Sequence, residues 1–305
     1  MSMLYQNNTL GAAGISRPGL YGGFENQQAL DAQYDVENAV ANFADYIADY
    51  QQSSQDARKL LKNRKVIAYG PTQMERLTIY PAKDPEAPVV IFIHGGYWKM
   101  GTGDDYDFIA MGPSKAGFTV VVVTYALAPL VTIPEMVRQV RAAIAWTAKN
   151  IGAFNGEPSG IFLAGHSAGA HLAAMCASTD WSDYGLPQDT IKGILAVSGL
   201  YDLLPVSQTF VQGSLRISAE QILSSSPARQ IYASHIPMTI AWGSHETAAF
   251  QNQSSDYLQS WIMAGNQGKS LIVENANHFS ILESFKDSDG LMTGALLALM
   301  DTYFQ

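Results

Sequence analysis

The segment whose residue types and spacing most directly suggest covalent chemistry is Gly165-His166-Ser167-Ala168-Gly169. It follows an apolar run, Ile161-Phe162-Leu163-Ala164, that reads as a strand. It precedes His171-Leu172-Ala173-Ala174-Met175, which reads as a helix. A sharp strand-to-helix turn holds its central serine in a strained backbone conformation with the hydroxyl exposed. It tolerates only small residues two positions to either side. The N–H groups opening the helix favour developing negative charge beside that hydroxyl. The chemistry expected is nucleophilic attack by Ser167 on a carbonyl.

A second segment supplies what such an attack needs. His94-Gly95-Gly96-Tyr97-Trp98 follows the apolar run Val89–Ile93. Its glycines allow main-chain N–H groups to turn toward a reacting carbonyl oxygen. The expected donors are the N–H groups of Gly96, Tyr97 and Ala168, with Gly95 and Trp98 in the same substrate-facing loop. His94 is expected to stabilise the loop rather than act as a base.

A serine hydroxyl needs a base beside it. Of the six histidines, His278 occupies a polar loop after the run Leu271-Ile272-Val273, late in the chain, and is the expected base. The acid that orients it should lie between serine and histidine in the sequence. Glu246 follows the run Met238–Trp242 and lies 246 − 167 = 79 residues after Ser167, 278 − 246 = 32 before His278. Asp202, one strand earlier in Ser198-Gly199-Leu200-Tyr201-Asp202, is the rival. Asp256 falls within a helical pattern and is more remote.

The elements that must position these residues alternate. Val36, Val40, Phe43, Ile47 and Tyr50 recur at helical spacing, predicting a helix from Asp35 to about residue 60. Further helices are predicted over Met136–Ile151, around Tyr257–Ala264 and over Leu291–Phe304. Leu77–Tyr80, Val89–Ile93, Thr119–Thr124, Gly160–Ala164, Gly193–Val197, Met238–Trp242 and Ser270–Val273 read as strands. Continuously apolar strands such as Val-Val-Ile-Phe-Ile are covered on both faces. About eight strands alternating with helices predict an α/β fold, with a mostly parallel sheet flanked by helices. Residues 1–30 have little periodicity and are expected to wrap the surface. Leu203–His235 is a long connection of the kind that often serves function. One domain is expected over 1–305, with 1–65 and 203–235 as cap segments.

Composition narrows the classes. With 18 Lys+Arg and 27 Asp+Glu in 305 residues the net charge is −9, and no basic cluster exists to bind nucleic acid. Charged residues are 15% of the chain, against roughly 25% in an average globular protein, and hydrophobic residues are 47%. Cys176 is the only cysteine, which excludes an intrachain disulfide and a four-cysteine zinc site. No apolar run approaches the ~18–20 residues of a bilayer span and no signal peptide is evident, so a cytoplasmic location is expected. His245-Glu246 lacks a second histidine at 249, which is Ala; His166 and His171 diverge on a helix; Gly101-Thr102-Gly103 lacks a third glycine; and no phosphate-binding Gly-Lys-Ser/Thr loop occurs. No cofactor and no metal are expected. The expected partners are a small-molecule ester or amide and at most a second copy of the chain, with no nucleic acid and no membrane.

Over most of its length the sequence resembles the α/β-hydrolase superfamily. Within it, it is similar to hormone-sensitive-lipase-like esterases and more closely to the arylformamidases (kynurenine formamidases). The carriers are His94-Gly95-Gly96-Tyr97-Trp98, Gly165-His166-Ser167-Ala168-Gly169, Ser198-Gly199-Leu200-Tyr201-Asp202-Leu203, His278, and Leu30-Asp31-Ala32-Gln33-Tyr34 ahead of the first helix. Two positions depart from the usual pattern: Tyr97 stands third where HGGG is common, and Glu246 stands where Asp is commoner. The resemblance implies a serine hydrolase that cleaves an N-formyl or N-acyl arylamine through an acyl-enzyme. Alternatives are a general short-chain carboxylesterase and, from another class, a non-catalytic binding protein of the same fold.

Overall fold

The structure, a computed structural model, describes residues 23–303. The first part of the expected 1–65 cap segment, residues 1–22, and Phe304 of the expected last helix lie outside the described residues.

Eight strands form one sheet: β1 (Lys65–Ala68), β2 (Arg76–Tyr80), β3 (Ala87–Ile93), β4 (Thr119–Thr124), β5 (Gly156–His166), β6 (Ile191–Val197), β7 (Met238–Gly243) and β8 (Gly268–Val273). Their spatial order is β1-β2-β4-β3-β5-β6-β7-β8. Strand β2 runs antiparallel to both its neighbours, and every pairing from β4 through β8 is parallel. The expected mostly parallel sheet is therefore present. Its centre is the apolar stretch Val89–Ile93 beside Val120–Val123, all of it buried. Its edges are wetter: β1 is largely exposed and β8 is exposed or half-buried up to its last residue, with Ile272 half exposed.

The helices are α1 (Gln27–Tyr34), α2 (Phe43–Leu60), α3 (Met111–Lys115), α4 (Ile133–Asn150), α5 (Ala168–Cys176), α6 (Leu203–Val206), α7 (Gln212–Leu215), α8 (Ala219–Ser224), α9 (Ala248–Met263) and α10 (Leu291–Tyr303). Parallel strands need crossovers: α4 joins β4 to β5, α5 joins β5 to β6, and α9 joins β7 to β8. Helix α4 buries Met136, Val137, Val140 and Ile144 on one side, the stripe its spacing predicts.

Three elements differ from the expectation. Helix α2 begins at Phe43 rather than near Asp35, because the Asp35 carboxylate accepts from the Asn38 N–H (3.2 Å) and side-chain amide (2.7 Å) and holds a turn there. Helix α1, which begins inside the 1–30 stretch read as irregular, is opened by Asn26, whose side chain accepts from the Ala29 N–H. The short edge strand β1 is too exposed to carry an apolar pattern. The Leu203–His235 connection holds three short helices, α6 to α8.

Helix α2 is fastened to the core. Arg58 pairs with the fully buried Asp107 carboxylate at 2.8 Å, and Ser54 Oγ donates to the Asp105 carbonyl at 2.9 Å. Both partners lie in the 3-10 turn Gly103–Ala110, which follows the His94 loop. One turn before Ser54 on the same helix, Tyr50 Oη donates to the Phe279 carbonyl at 2.6 Å.

Cys176 closes α5 and is fully buried, which pushes its thiol up to about 12. A thiolate is the reactive species, so the folded protein is expected to resist thiol reagents at pH 8 and to label stoichiometrically only after denaturation. Rapid labelling of native protein would contradict this burial.

Candidate active site

Ser167 sits between β5 and α5 with φ 56° and ψ −119°, a strained conformation for a residue with a side chain. The glycines around it are required by contact. A Cβ on Gly165 would lie 2.4 Å from the Gly169 carbonyl oxygen, and one on Gly169 would lie 2.0 Å from that of Ile93. The first turn of α5 is thus pressed against the end of β3. A Cβ on Gly95 would stand 3.0 Å from the Ser167 Cβ, so the His94 loop lies directly against the turn.

In that loop Gly96, Tyr97 and Trp98 all have positive φ (107°, 49° and 56°), which bends the main chain around the serine. Among the described residues, the N–H groups of Gly96, Tyr97 and Ala168 donate to no backbone carbonyl. Gly96 and Tyr97 line the same cavity as Ser167. Trp98 does not: it is fully buried and turned inward, its indole N–H 3.3 Å from His171 Nδ1. It therefore packs the loop against α5 rather than facing substrate. His94 is also buried. Its Nδ1 lies 2.7 Å from the Gly95 carbonyl oxygen, and its ring stacks on Tyr125 at 4.4 Å.

The structure brings Glu246 and His278 together. Glu246 Oε2 lies 2.9 Å from His278 Nδ1, with both side chains almost fully buried. The other carboxylate oxygen, Oε1, accepts from Ser198 Oγ (2.6 Å) and from the Gly243 N–H (2.7 Å). Asp202 is elsewhere: it caps α6 through the Leu204 N–H (3.0 Å) and pairs with Arg229 (3.0 Å). Asp256 lies along α9, and His245 and His235 are exposed. His278 and Ser167 line one cavity. No hydrogen bond joins them among the described residues, and such bonds commonly tighten only when substrate binds.

Three functional neighbours were missed by motif reading. Ser198 and Gly243 hold the carboxylate. His166, inside the Ser167 turn, has its Nε2 2.8 Å from the His278 carbonyl oxygen and fixes the loop carrying that residue. In the sequence Ser198 opens one of the strings that carry the resemblance and follows a strand, and neither signal says where its side chain points.

The cavity has a volume of about 310 Å³. Its walls are mainly apolar and aromatic, with Phe43, Tyr50, Tyr97, Tyr106 and Phe279 among them. Val36 and Ile47 complete the side built from the N-terminal segment. No residue of 203–235 lines it. Among the described residues no group of three or more His, Cys, Asp or Glu side chains could hold a metal, and no helix is long and apolar enough to cross a membrane.

Solved structures share this fold. A crystal structure from Silicibacter sp. TM1040, provisionally assigned as a thioesterase, superposes with a TM-score of 0.78 at 26% identity, covering 89% of this chain and 98% of that one. An esterase from the archaeon Pyrobaculum calidifontis gives 0.70 at 17% identity over 84% of this chain and 90% of its own, a likeness of fold. The fold is that of the α/β-hydrolases, and the protein is a hydrolase. The BD-FAE family profile matches residues 77–262, and the chain belongs to that family. It is similar to the kynurenine formamidase of Danio rerio, 33% identical over 262 residues, covering 84% of this chain and 88% of the relative.

Burial pushes His94 and His171 down to about 4, and burial followed by the nearby His278 ring lowers His166 well below the usual histidine range. In the unfolded chain these side chains titrate near ~6.5. Below that pH the unfolded state takes up protons that the folded state refuses. Stability is therefore full above about pH 6.5 and lost as pH falls toward 4. Denaturant midpoints measured from pH 8 down to pH 5 should drop below about 6.5; a flat profile would contradict three buried neutral imidazoles.

Proposed function

We propose that the protein cleaves an N-formyl or N-acyl arylamine through an acyl-enzyme, with Ser167, His278 and Glu246 as its catalytic triad. The observation that carries this reading is the Glu246–His278 bond at 2.9 Å, made beside the cavity into which the strained Ser167 turn opens. A carboxylate accepting at Nδ1 puts the ring proton there and leaves the lone pair on Nε2, the nitrogen able to act as base.

Ser167 Oγ attacks the carbonyl carbon as His278 Nε2 takes its proton. The carbonyl oxygen becomes an oxyanion held by the N–H groups of Gly96, Tyr97 and Ala168, the oxyanion hole of this reading. Each donor is worth ~2.7–4 kcal/mol in such sites. The tetrahedral intermediate collapses as the C–N bond breaks, and His278 returns the proton to the departing arylamine. Water, deprotonated by the same ring, then attacks the acyl-enzyme and releases the acid and Ser167. The buried carboxylate stabilises the imidazolium in both halves. Aromatic walls on a cavity of about 310 Å³ suit a single substituted aryl group, and the likeness to a kynurenine formamidase supports an aryl formamide. A short-chain esterase is the second reading, supported by the similarity to solved esterases.

The test compares the parent with Ser167→Ala on an aryl formamide and on p-nitrophenyl acetate. The variant should lose about 10,000-fold or more in kcat on both. Undiminished turnover by the variant would overturn the mechanism. Parent turnover of the ester alone would leave the mechanism standing and favour the esterase reading.

A further inference from the structure

Glu246 is longer by one methylene than the aspartate commoner at such a position, and a longer side chain has more ways to turn away. Its two oxygens are divided between separate tasks. Oε2 faces His278, while Oε1 is occupied by the Ser198 hydroxyl at 2.6 Å and the Gly243 N–H at 2.7 Å. Gly243 ends β7 and is three residues from Glu246 in the chain, so its bond curls the side chain back over its own turn. Ser198 comes from a different strand. It is the residue after β6, fully buried, at φ 53°, with its own N–H tied to the Ala241 carbonyl of β7 at 2.7 Å. Its hydroxyl is thus fixed to the sheet, not to the loop that carries the acid. It does not line the cavity.

We propose that Ser198 is a positioning residue for hydrolysis: by holding Oε1 to the end of β6, it fixes which carboxylate oxygen meets His278 and keeps the imidazole aimed at Ser167. The proposal rests on the triad reading above. Without the hydroxyl, one bond remains on Oε1, from the Gly243 N–H at the start of the acid's own turn, and the carboxylate can pivot about it. The step affected is proton transfer, not substrate binding.

The experiment compares Ser198→Ala and Ser198→Gly with the parent on p-nitrophenyl acetate, alongside thermal melting. Both variants lose the hydroxyl, but only glycine relaxes the positive φ. If Ser198 positions the acid, both lose kcat by about 10- to 100-fold, the range expected for a hydrogen bond to a charged group. KM stays within about twofold, and the two melting temperatures diverge. A purely structural serine would instead give a glycine variant as stable and as active as the parent, which would overturn the proposal. A double-mutant cycle adds a readout that stability cannot mimic. In a Glu246→Ala background, Ser198→Ala should cost no further activity; a fully additive loss would overturn the proposal. Ser167→Ala in the same assay separates the two readings. If it abolishes turnover while the Ser198 variants keep the parental kcat, the triad stands and the role of Ser198 does not. If it retains turnover, the triad itself has failed and the role of Ser198 falls with it.

Discussion

Three backbone segments meet beside Ser167 with no room for side chains between them, and the geometry of the site depends on that crowding. The end of β5, the first turn of α5 and the loop after β3 approach until Gly165, Gly169 and Gly95 are the only residues their neighbours permit. The contact between Gly169 and the Ile93 carbonyl sets the distance from α5 to β3. The contact between Gly95 and Ser167 sets the distance from that serine to the His94 loop. Positive φ at Ser167, Tyr97 and Trp98 is strain stored in this junction. The fully buried apolar core of β3, β4 and β5 is what sustains it.

The remaining groups are suspended from the carboxyl ends of successive parallel strands, where open α/β sheets collect their ligands. His166 ends β5, Ser198 follows β6, Gly243 ends β7, and His278 stands in the loop beyond β8. All four are buried and linked by hydrogen bonds: the Ser198 hydroxyl and the Gly243 N–H hold Glu246, which meets the His278 ring, and His166 Nε2 lies against the His278 carbonyl, so the register of the sheet is transmitted to the imidazole. Few rotatable bonds intervene, which limits how far the ring can wander.

What could be read from the sequence follows from which features have a unique physical cause. The glycines around Ser167 and after His94 were legible because nothing else fits there. The central strands were legible because burial on both faces leaves unbroken apolar runs. Glu246 and Asp202 each follow a strand within reach of the same loop, and only the three-dimensional course of the chain separates them: Asp202 is taken by Arg229 and a helix cap. Trp98 was drawn into the substrate-facing group by adjacency to the glycines, yet the loop's positive φ values turn it toward His171. The start of α2 was obscured because Val36 and Val40 keep helical spacing while Asp35 bonds locally and breaks the helix. Ser198 stood in a recognisable string, but its bond to Glu246 was not legible, because a serine after a strand is compatible with almost any role.

Helix α2 walls the cavity and also grips the loop on either side of His278. Tyr50 bonds the Phe279 carbonyl, and Tyr46 Oη accepts from the Asn277 side-chain amide at 2.8 Å, while Phe43 and Tyr46 pack on the Phe279 ring. The cavity wall and the His278 loop are therefore mechanically one part. In protein engineering this helix is not an interchangeable part: a graft that reshapes the cavity must bring tyrosines at the positions of Tyr46 and Tyr50 with it. Otherwise a roomier cavity comes with an unmoored histidine.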